Sequence, residues 1–261
     1  MNKNKTTSEK YLKTVIYDRE CLNDKWFHEL LSDLINAGID VKEAEKDAGM
    51  TDPGQALYIC ANEEGIELAL RENMAFVCYG CGSNEAQCVI EGFDEVDAGF
   101  IIKMYQRKHG QPWKIAGTER LIIREFTVDD GVEIFPEISD VPGLTALYIK
   151  NVYGFFGYGV WALVLKNTGE IIGKAGLMSS ERVDGIELGY EISEPFRHRG
   201  FAKEACIAII KVAEEMLGQE RLYAFTDRDN KPSKRLLNSL GFECESEKSG
   251  VCKYIKILAG R

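Results

Sequence analysis

The sequence predicts an α/β chain with two domains, a small parallel-sheet domain over residues 1–115 and a second domain over residues 116–261. In the first region, short apolar runs alternate with segments of helical periodicity, which is the order of βαβ units. The stretch from Gly110 to Trp113 is typical of a linker, and 261 residues are enough for two modest domains. In the second region, a strand, a basic glycine-containing turn and a helix follow one another.

The elements of the first region are predicted from their apolar spacing. Strands are expected at residues 12–17, 57–60, 75–79 and 88–90, where apolar runs are short. Helices are expected at 24–37, 63–73 and 94–107, with Leu30 and Leu34 among the inward residues of the first helix. Strands that alternate with helices imply a parallel sheet.

Composition limits the class of protein. The net charge of -10, from 32 basic and 42 acidic residues, argues against a general nucleic-acid binder. No apolar run approaches the roughly 20 residues of a membrane helix. The polar start of the chain lacks the apolar core of a secretory signal. We therefore expect no nucleic-acid partner and no membrane.

The eight cysteines include a C-x-x-C pair, Cys78 and Cys81, at the end of a predicted strand, with Cys60 and Cys88 nearby. A zinc site would need a fourth ligand, and no histidine is close in sequence. A redox pair would normally begin a helix, where the thiolate is stabilised. The pattern favours reduced thiols, no metal and a cytoplasmic location.

In the second region, the sequence predicts a strand at 186–192 from its alternating pattern. The turn Arg197–Ala202 follows it, and then a helix over 202–217. The first N–H groups of a helix have no internal partner and carry the positive end of its dipole. Together with Gly200 and two arginines, they predict an anion site suited to a phosphate or pyrophosphate. A strand at 221–226 follows, and then a short helix from Ser233 to Leu240 that Gly241 ends.

From Thr118 to the C-terminus the chain resembles the GNAT N-acetyltransferases, and it is most similar to their ribosomal-protein alanine acetyltransferase branch. Arg197, Gly200 and Ala202 fill the family's pyrophosphate-binding signature, and the later Asn-x-x-Ser…Gly-Phe element is present. The resemblance implies a mixed, mostly antiparallel, splayed sheet flanked by helices, and acetyl-CoA as co-substrate. The cofactor-binding residues that it implies are Ile192, Ser193, Arg197, His198, Arg199, Gly200, Phe201, Ala202, Lys203, Asn230 and Ser233.

Glu187 and Glu191 are the candidates for the catalytic base, because strand alternation places both on one face. Two carboxylates near an apolar cleft raise each other's pKa. The alternative is that water and backbone groups suffice. In many family members a tyrosine acts as the general acid at the position where this chain has Leu237. With that tyrosine absent, Ser233 is the hydroxyl group expected nearest the sulfur of coenzyme A. Its alternative role is as an N-cap or first-turn residue of the last helix.

The acceptor side is predicted in the segment 148–161, where aromatic residues are interleaved with glycines. Glycines allow close approach and aromatic rings wall a pocket for an amine, so the candidate residues are Tyr153, Phe156, Tyr158 and Trp161. Equally, these rings could close the two domains against each other. The expected acceptor is a small-molecule amine or a protein N-terminal amine, and a homodimer is compatible with this prediction.

The first region is similar to the last part of haloacid-dehalogenase-like (HAD-like) hydrolases, as a truncated half-Rossmann domain. Asp18 lacks the second aspartate of that family's nucleophile motif, and Cys60-Ala61-Asn62 stands where a metal-binding aspartate is expected. Glu63 and Glu64 suit a helix N-terminus instead. The resemblance therefore implies that the domain over residues 1–115 is a truncated, non-catalytic HAD-like domain. For the whole chain, the alternative to an active transferase is a non-catalytic acetyl-CoA-binding or scaffolding module.

Overall fold

A computed structural model describes residues 11–44, 52–131, 134, 143–153, 157–215 and 217–258. The chain divides into two compact units, Met1–Gln111 and Pro112–Arg261. Within the described ranges, every helix is too short or too polar to cross a membrane.

The first unit is built on a five-stranded sheet in which every pair of neighbours is parallel, with the order β2-β1-β3-β4-β5. Its strands are β1 (Thr14–Tyr17), β2 (Asp40–Glu43), β3 (Ala56–Cys60), β4 (Ala75–Tyr79) and β5 (Cys88–Ile90). Its helices are α1 (Phe27–Asn36), α2 (Glu63–Arg71) and α3 (Ala98–Lys108). The alternation of strands and helices and the parallel sheet are confirmed, but β2 was not predicted, because its four residues are mostly polar and exposed.

Side-chain caps begin two helices of this unit, α2 and α3. The side chain of Asn62 accepts a hydrogen bond from the Gly65 N–H at 2.9 Å at the start of α2, and Asp97 accepts from the Phe100 N–H at 2.7 Å at the start of α3. These caps satisfy N–H groups that a helix leaves without partners. All five residues of β3 are buried, as expected of a central parallel strand whose two faces are covered.

The second unit contains an eight-stranded sheet with the order β12-β13-β11-β10-β9-β8-β7-β6. Its strands are β6 (Lys114–Gly117), β7 (Leu121–Arg124), β8 (Val160–Leu165), β9 (Ile171–Ser179), β10 (Ile186–Ile192), β11 (Arg221–Asp227), β12 (Glu243–Lys248) and β13 (Val251–Ile257). Neighbouring strands are antiparallel except for β10 and β11. This mixed, mostly antiparallel sheet agrees with the fold that the resemblance implied.

Helices complete the second unit. They are α4 (Leu144–Tyr148), which continues into a π-helical turn (Ile149–Tyr153), α5 (Phe201–Glu215) and α6 (Lys231–Ser239). The apolar residues of α5, among them Ala205, Ile209 and Ala213, lie in the hydrophobic core with the inward residues of the sheet. The helical spacing in the sequence therefore identified the buried face of α5.

The second unit begins earlier than the sequence suggested. Strand β6 crosses the predicted boundary between residues 115 and 116 and pairs with β7 through Ala116 and Ile123. Ile115 and Ala116 pack against the core of this unit. As a short, half-polar edge strand, β6 carries little of the alternation by which strands are recognised.

The sheet splays between its two parallel neighbours. Strand β10 pairs with β9 along its whole length, but it pairs with β11 only where Glu187 lies opposite Tyr223. Beyond Glu187 the two strands diverge. The gap that they leave positions the candidate site.

Candidate active site

The turn between β10 and α5 contains two residues with positive φ. His198 has a φ of 61° and Gly200 a φ of 84°, in the left-handed region that glycine adopts without strain. The Glu204 N–H donates to the Gly200 carbonyl oxygen at 3.1 Å, so the N–H groups of Phe201, Ala202 and Lys203 have no acceptor within their own helix. A helix start with open N–H groups is a suitable place for an anion.

An ion pair braces this turn against the entry to β7. The Arg120 guanidinium lies 2.6 Å from the Glu204 carboxylate and donates to the Arg199 carbonyl oxygen at 3.0 Å. Glu204 also accepts from the Thr118 hydroxyl at 2.5 Å. Burial raises the pKa of Glu204, but hydrogen bonds from Thr118 and Arg120 outweigh it and lower the pKa overall. Local sequence patterns do not reveal this contact, because Arg120 and Glu204 lie 84 residues apart.

A cleft of about 510 Å³, which we call the turn cleft, lies beside this turn. It is lined by Tyr190, Glu191, Ile192, Phe196, Arg197, His198, Gly200, Phe201, Ala202, Lys203, Asn230, Pro232, Ser233 and Leu236. Nine of the eleven cofactor-binding residues that the resemblance implied are in that set, and Ser193 and Arg199 are not. Arg197 donates from Nε to the Ile192 carbonyl oxygen at 2.8 Å, which ties the turn to the end of β10.

A second cleft of about 380 Å³, the strand cleft, lies in the gap between β10 and β11. It is lined by Arg182, Glu187, Leu188, Gly189, Tyr190, Ala224, Phe225, Thr226, Asp227, Asn230, Ser233, Leu237 and Val251. The two clefts share Tyr190, Asn230 and Ser233, which we call the junction. A group that moves from one cleft to the other passes these three polar side chains.

The junction residues hold one another. Tyr190 Oη lies 2.7 Å from Ser233 Oγ. Asn230 Oδ1 accepts from the Ser233 N–H at 3.1 Å and caps α6. Asn230, and not Ser233, is therefore the N-cap. Burial raises the pKa of Tyr190 to about 12, against the opposing effect of the Ser233 hydrogen bond. Tyr190 was not among the predicted site residues, although it is the polar member of an otherwise apolar strand face.

The two candidate bases lie in different surroundings. Glu187 is half-buried, and its Oε2 accepts from the Ser180 hydroxyl at 3.2 Å. Burial raises the pKa of Glu187, while Ser180 and Arg182 act in the opposite direction. The Glu191 side chain is 58% exposed and forms an ion pair with Lys174 at 3.3 Å. Glu187 lines the strand cleft and Glu191 lines the turn cleft, so Glu187 has the surroundings that a general base needs.

The aromatic residues predicted for the acceptor side are mostly internal. Tyr153 and Trp161 are each 1% exposed and lie in the core of their own unit. The Tyr153 hydroxyl accepts from the Phe126 N–H at 3.2 Å and donates to the Val160 carbonyl oxygen. Because both rings are enclosed, they offer no surface to a ligand in this structure. Tyr158 is half-buried, with its hydroxyl 3.1 Å from Ser179 Oγ, and Phe156 lies outside the described residues.

In the first unit, Asp18 follows β1 and is already engaged within the protein. Its Oδ1 accepts from the Tyr58 hydroxyl at 2.6 Å and its Oδ2 from the Ala61 N–H at 2.8 Å. A Cβ atom on Gly65 would lie 2.5 Å from Asp18 Oδ2, so the start of α2 also closes over this carboxylate. The similarity to HAD-like hydrolases stays a prediction.

All eight cysteines are free thiols. Cys81 donates from Sγ to the Cys60 carbonyl oxygen at 3.3 Å, and burial raises the pKa of the Cys78 thiol to about 12. Within the described ranges, His, Cys, Asp and Glu side chains form no group of three that could hold a metal ion.

Three comparisons with known proteins indicate the family of the chain. The family model for the acetyltransferase (GNAT) domain matches residues 120–243. An uncharacterised N-acetyltransferase, YoaA, of Bacillus subtilis (strain 168) is 30% identical over 148 residues, covering 50% of this chain and 84% of that protein. An uncharacterised N-acetyltransferase, p20, of Bacillus licheniformis is 34% identical over 145 residues, covering 49% of this chain and 82% of that protein.

Among solved structures, the ribosomal-protein-S5-alanine acetyltransferase of Vibrio fischeri is 20% identical, with a TM-score of 0.46, covering 54% of this chain and 95% of that one. Nothing about this chain's substrate follows from a likeness of that size. The family model matches the part of the chain that carries the turn, the junction and Glu187. The chain belongs to the GNAT family of N-acetyltransferases.

Proposed function

We propose that the chain transfers an acetyl group from acetyl-CoA directly to a primary amine, with both substrates bound at once. The observation that carries the proposal is the meeting of two clefts at a polar junction. One cleft has an anion-binding helix start and the other contains a half-buried carboxylate. Two sites that share a boundary allow direct attack of the amine on the acetyl group, without a covalent enzyme intermediate.

The residues of the turn cleft fit acetyl-CoA. The open N–H groups at the start of α5 and the side chain of Lys203 suit a pyrophosphate, and Gly200 lets it approach the backbone. Beyond Glu187, the edge of β10 that faces β11 has no strand partner in the described part of the sheet, so it can pair with an extended pantetheine arm. Acetyl-CoA supplies an activated thioester carbonyl, and an N–H near Glu191 is a candidate to polarise it.

Glu187 is proposed as the general base, acting directly or through one water. Its raised pKa brings the carboxylate closer to the affinity for protons that a base at neutral pH requires. The strand cleft also contains Asp227, and two carboxylates favour a cationic amine over an anionic acceptor. A small-molecule amine and a protein N-terminus both satisfy this chemistry, and a homodimer stays a prediction.

A second candidate function is a non-catalytic acetyl-CoA-binding module. The observation that favours it is Leu237, which replaces the tyrosine of many family members and is fully buried. Isothermal titration with acetyl-CoA, followed by thiol release with a panel of amines, tests both candidates. Binding with amine-dependent thiol release supports the transferase. Binding without release from any amine would favour the module, and no binding would contradict both.

The first unit is proposed to be non-catalytic. This is supported by Asp18, which lacks the second aspartate of a nucleophile pair and whose two carboxylate oxygens accept hydrogen bonds from Tyr58 and Ala61 within the unit. The full chain with magnesium should not hydrolyse p-nitrophenyl phosphate above the buffer rate. Hydrolysis that disappears in Asp18→Asn would contradict the proposal. The eight free thiols support a reducing compartment such as the cytoplasm.

A further inference from the structure

We propose that Tyr190 is a positioning residue, whose phenol holds the Ser233 hydroxyl so that the serine O–H hydrogen-bonds to the sulfur of coenzyme A as it leaves. The inference rests on the acetyl-CoA-dependent function proposed above. It adds a residue from the middle of β10 to a site otherwise built from the turn, α6 and Glu187.

The location of the pair follows from the two clefts. Donor and acceptor occupy different clefts in the proposed function, and the clefts share only three of their lining residues. The bond that breaks must therefore lie near Tyr190, Asn230 and Ser233. The Asn230 side-chain oxygen Oδ1 accepts from the Ser233 N–H. The hydrogen donors of the junction are therefore the Asn230 Nδ2 group and the two hydroxyl groups, and the two hydroxyl groups contact each other.

The two hydroxyl groups together carry two hydrogens and share one bond. The distance of 2.7 Å between Tyr190 Oη and Ser233 Oγ is that of a good hydrogen bond. A further contact, from Tyr190 Oη to the Ser233 carbonyl oxygen, is 3.5 Å long, which is too long to compete. When the Tyr190 phenol donates to Ser233 Oγ, the serine O–H can itself donate a hydrogen bond to an atom of the ligand.

The assignment of roles follows from rigidity. Tyr190 lies on a strand that is paired throughout with β9, and its ring is half-buried among core residues. Ser233 has a short side chain that rotates about a single bond, so its hydroxyl needs a partner to fix its direction. Tyr190 therefore orients the serine, and the serine meets the sulfur.

The bonding in the transfer balances without a proton from either hydroxyl group. The bond between acetyl carbon and sulfur breaks, its electron pair stays on sulfur, and the amine nitrogen takes the acetyl group and loses a proton towards Glu187. With a pKa raised to about 12, the Tyr190 phenol is a much weaker acid than a thiol, whose ordinary pKa is about 8.5. The pair therefore stabilises the thiolate by hydrogen bonding, and the sulfur takes its proton from solvent.

The test measures the acidity of the coenzyme A thiol when it is bound, which requires no knowledge of the amine. The ultraviolet absorbance of the thiolate is followed against pH in the full chain saturated with coenzyme A, with the unliganded protein subtracted. A hydrogen bond to the thiolate lowers the thiol pKa. We expect Ser233→Ala to raise it by about one unit, a tenfold change in acidity, and Tyr190→Phe to raise it by a similar or smaller amount.

Two further variants separate positioning from general damage. The double variant should match Ser233→Ala, because Tyr190 acts through the serine. Tyr254→Phe removes a phenol hydroxyl from the core of the same unit, outside both clefts, and should leave the thiol pKa as in the wild type. With any amine that is acetylated, Tyr190→Phe should lower kcat and leave the KM for acetyl-CoA unchanged.

An equal thiol pKa in the wild type and Tyr190→Phe would overturn this inference and leave the proposed function intact. An equal shift of the bound thiol pKa in Tyr254→Phe and Tyr190→Phe would also overturn the role of Tyr190 and leave the proposed function intact. Failure of the wild-type chain to bind coenzyme A at all would overturn the proposed function as well.

Discussion

Both units contain neighbouring parallel strands, and these differ in the length over which the two strands are hydrogen-bonded. In the first unit, β1 and β3 are paired from Thr14 opposite Ala56 to Tyr17 opposite Ile59. In the second, β10 and β11 meet only at Glu187 and Tyr223. Continuous pairing uses the backbone groups of both strands, whereas divergence exposes those of β10 to a ligand.

Whether two parallel strands stay paired or diverge also decides how much space is left at their carboxyl ends. Ligand-binding sites of parallel sheets form at those ends. Beyond β1, the space is filled by Asp18, which Tyr58 and Ala61 hold. Beyond the single contact of β10 with β11, two clefts meet at polar side chains. An acidic residue at a strand end therefore indicates a site only when the strands leave room beside it.

The largest expected effect concerns the turn. Gly200→Asp should weaken acetyl-CoA binding by about 100-fold or more, as measured by isothermal titration. The φ of 84° strains any side chain, and the added carboxylate repels the phosphates at the start of α5.

Gly200→Asn is the matched control, since it has the same shape without the charge. A Cβ atom at residue 200 meets only Arg120 Nη2, at 3.4 Å, so the asparagine should fold and bind about tenfold more tightly than the aspartate or better. Equal affinity of both variants would show that strain, and not charge, governs the turn. Wild-type affinity in a folded Gly200→Asp protein would contradict the assignment of the pyrophosphate site.

The next effect concerns the strand cleft. Glu187→Gln should lower kcat by about 10²-fold if this carboxylate takes the proton from the amine, while acetyl-CoA affinity is unchanged. A base acts in its ionised form, so the wild-type rate should fall as pH falls through the raised pKa of Glu187. That decline should lie at higher pH than for an exposed glutamate, and the variant should lack it.

Glu191→Gln serves as the comparison, because it removes a largely exposed carboxylate that pairs with Lys174. We expect its kcat to fall less than about threefold, since a loss of about 10²-fold or more is expected only when the general base itself is removed. A larger loss in Glu191→Gln than in Glu187→Gln, measured by release of coenzyme A, would transfer the role of base to Glu191.

A smaller effect tests where the second unit begins. Its core clusters are drawn from residues of that unit alone in the described part of the chain. A chain that starts at Pro112 should therefore fold and bind acetyl-CoA. A chain that starts at Thr118 loses β6 and the packing of Ile115, and should be less stable by about 2 kcal/mol in urea denaturation. Equal stability would mean that β6 does not contribute to the fold.

The smallest effect tests the filled site of the first unit. Tyr58→Phe removes the hydroxyl that donates to Asp18 and should lower stability by about 0.5–1.5 kcal/mol, measured as the shift of the calorimetric transition of the full chain. Tyr11→Phe, at an exposed ring, should cause no shift. Acetyl-CoA affinity should be unchanged in both, and a loss of affinity in Tyr58→Phe would tie the first unit to the site.

Much of the architecture could be predicted from local sequence patterns. Strands β4, β5 and β10 lie at the residues that their apolar runs indicated, and α5 begins within one residue of its expected start. The left-handed conformation of Gly200 was not predicted, although a glycine was expected to let the backbone of this turn approach a ligand closely. The polar edge strands β2, β6 and β12 were missed, because a short strand with one partner needs little apolar alternation.

Neighbouring residues along the chain were enough to predict the local elements, the basic turn with its helix start and the family, because each depends on short stretches of sequence. Which side chains contact one another follows only from the packing of distant elements. Ser233 faces Tyr190 across 43 residues and Glu204 meets Arg120 across 84, while Tyr153 and Trp161 turn into the core and not towards a ligand. Periodicity assigns a residue to a face of its own strand or helix, but the partner on that face depends on how distant elements pack and where two strands separate.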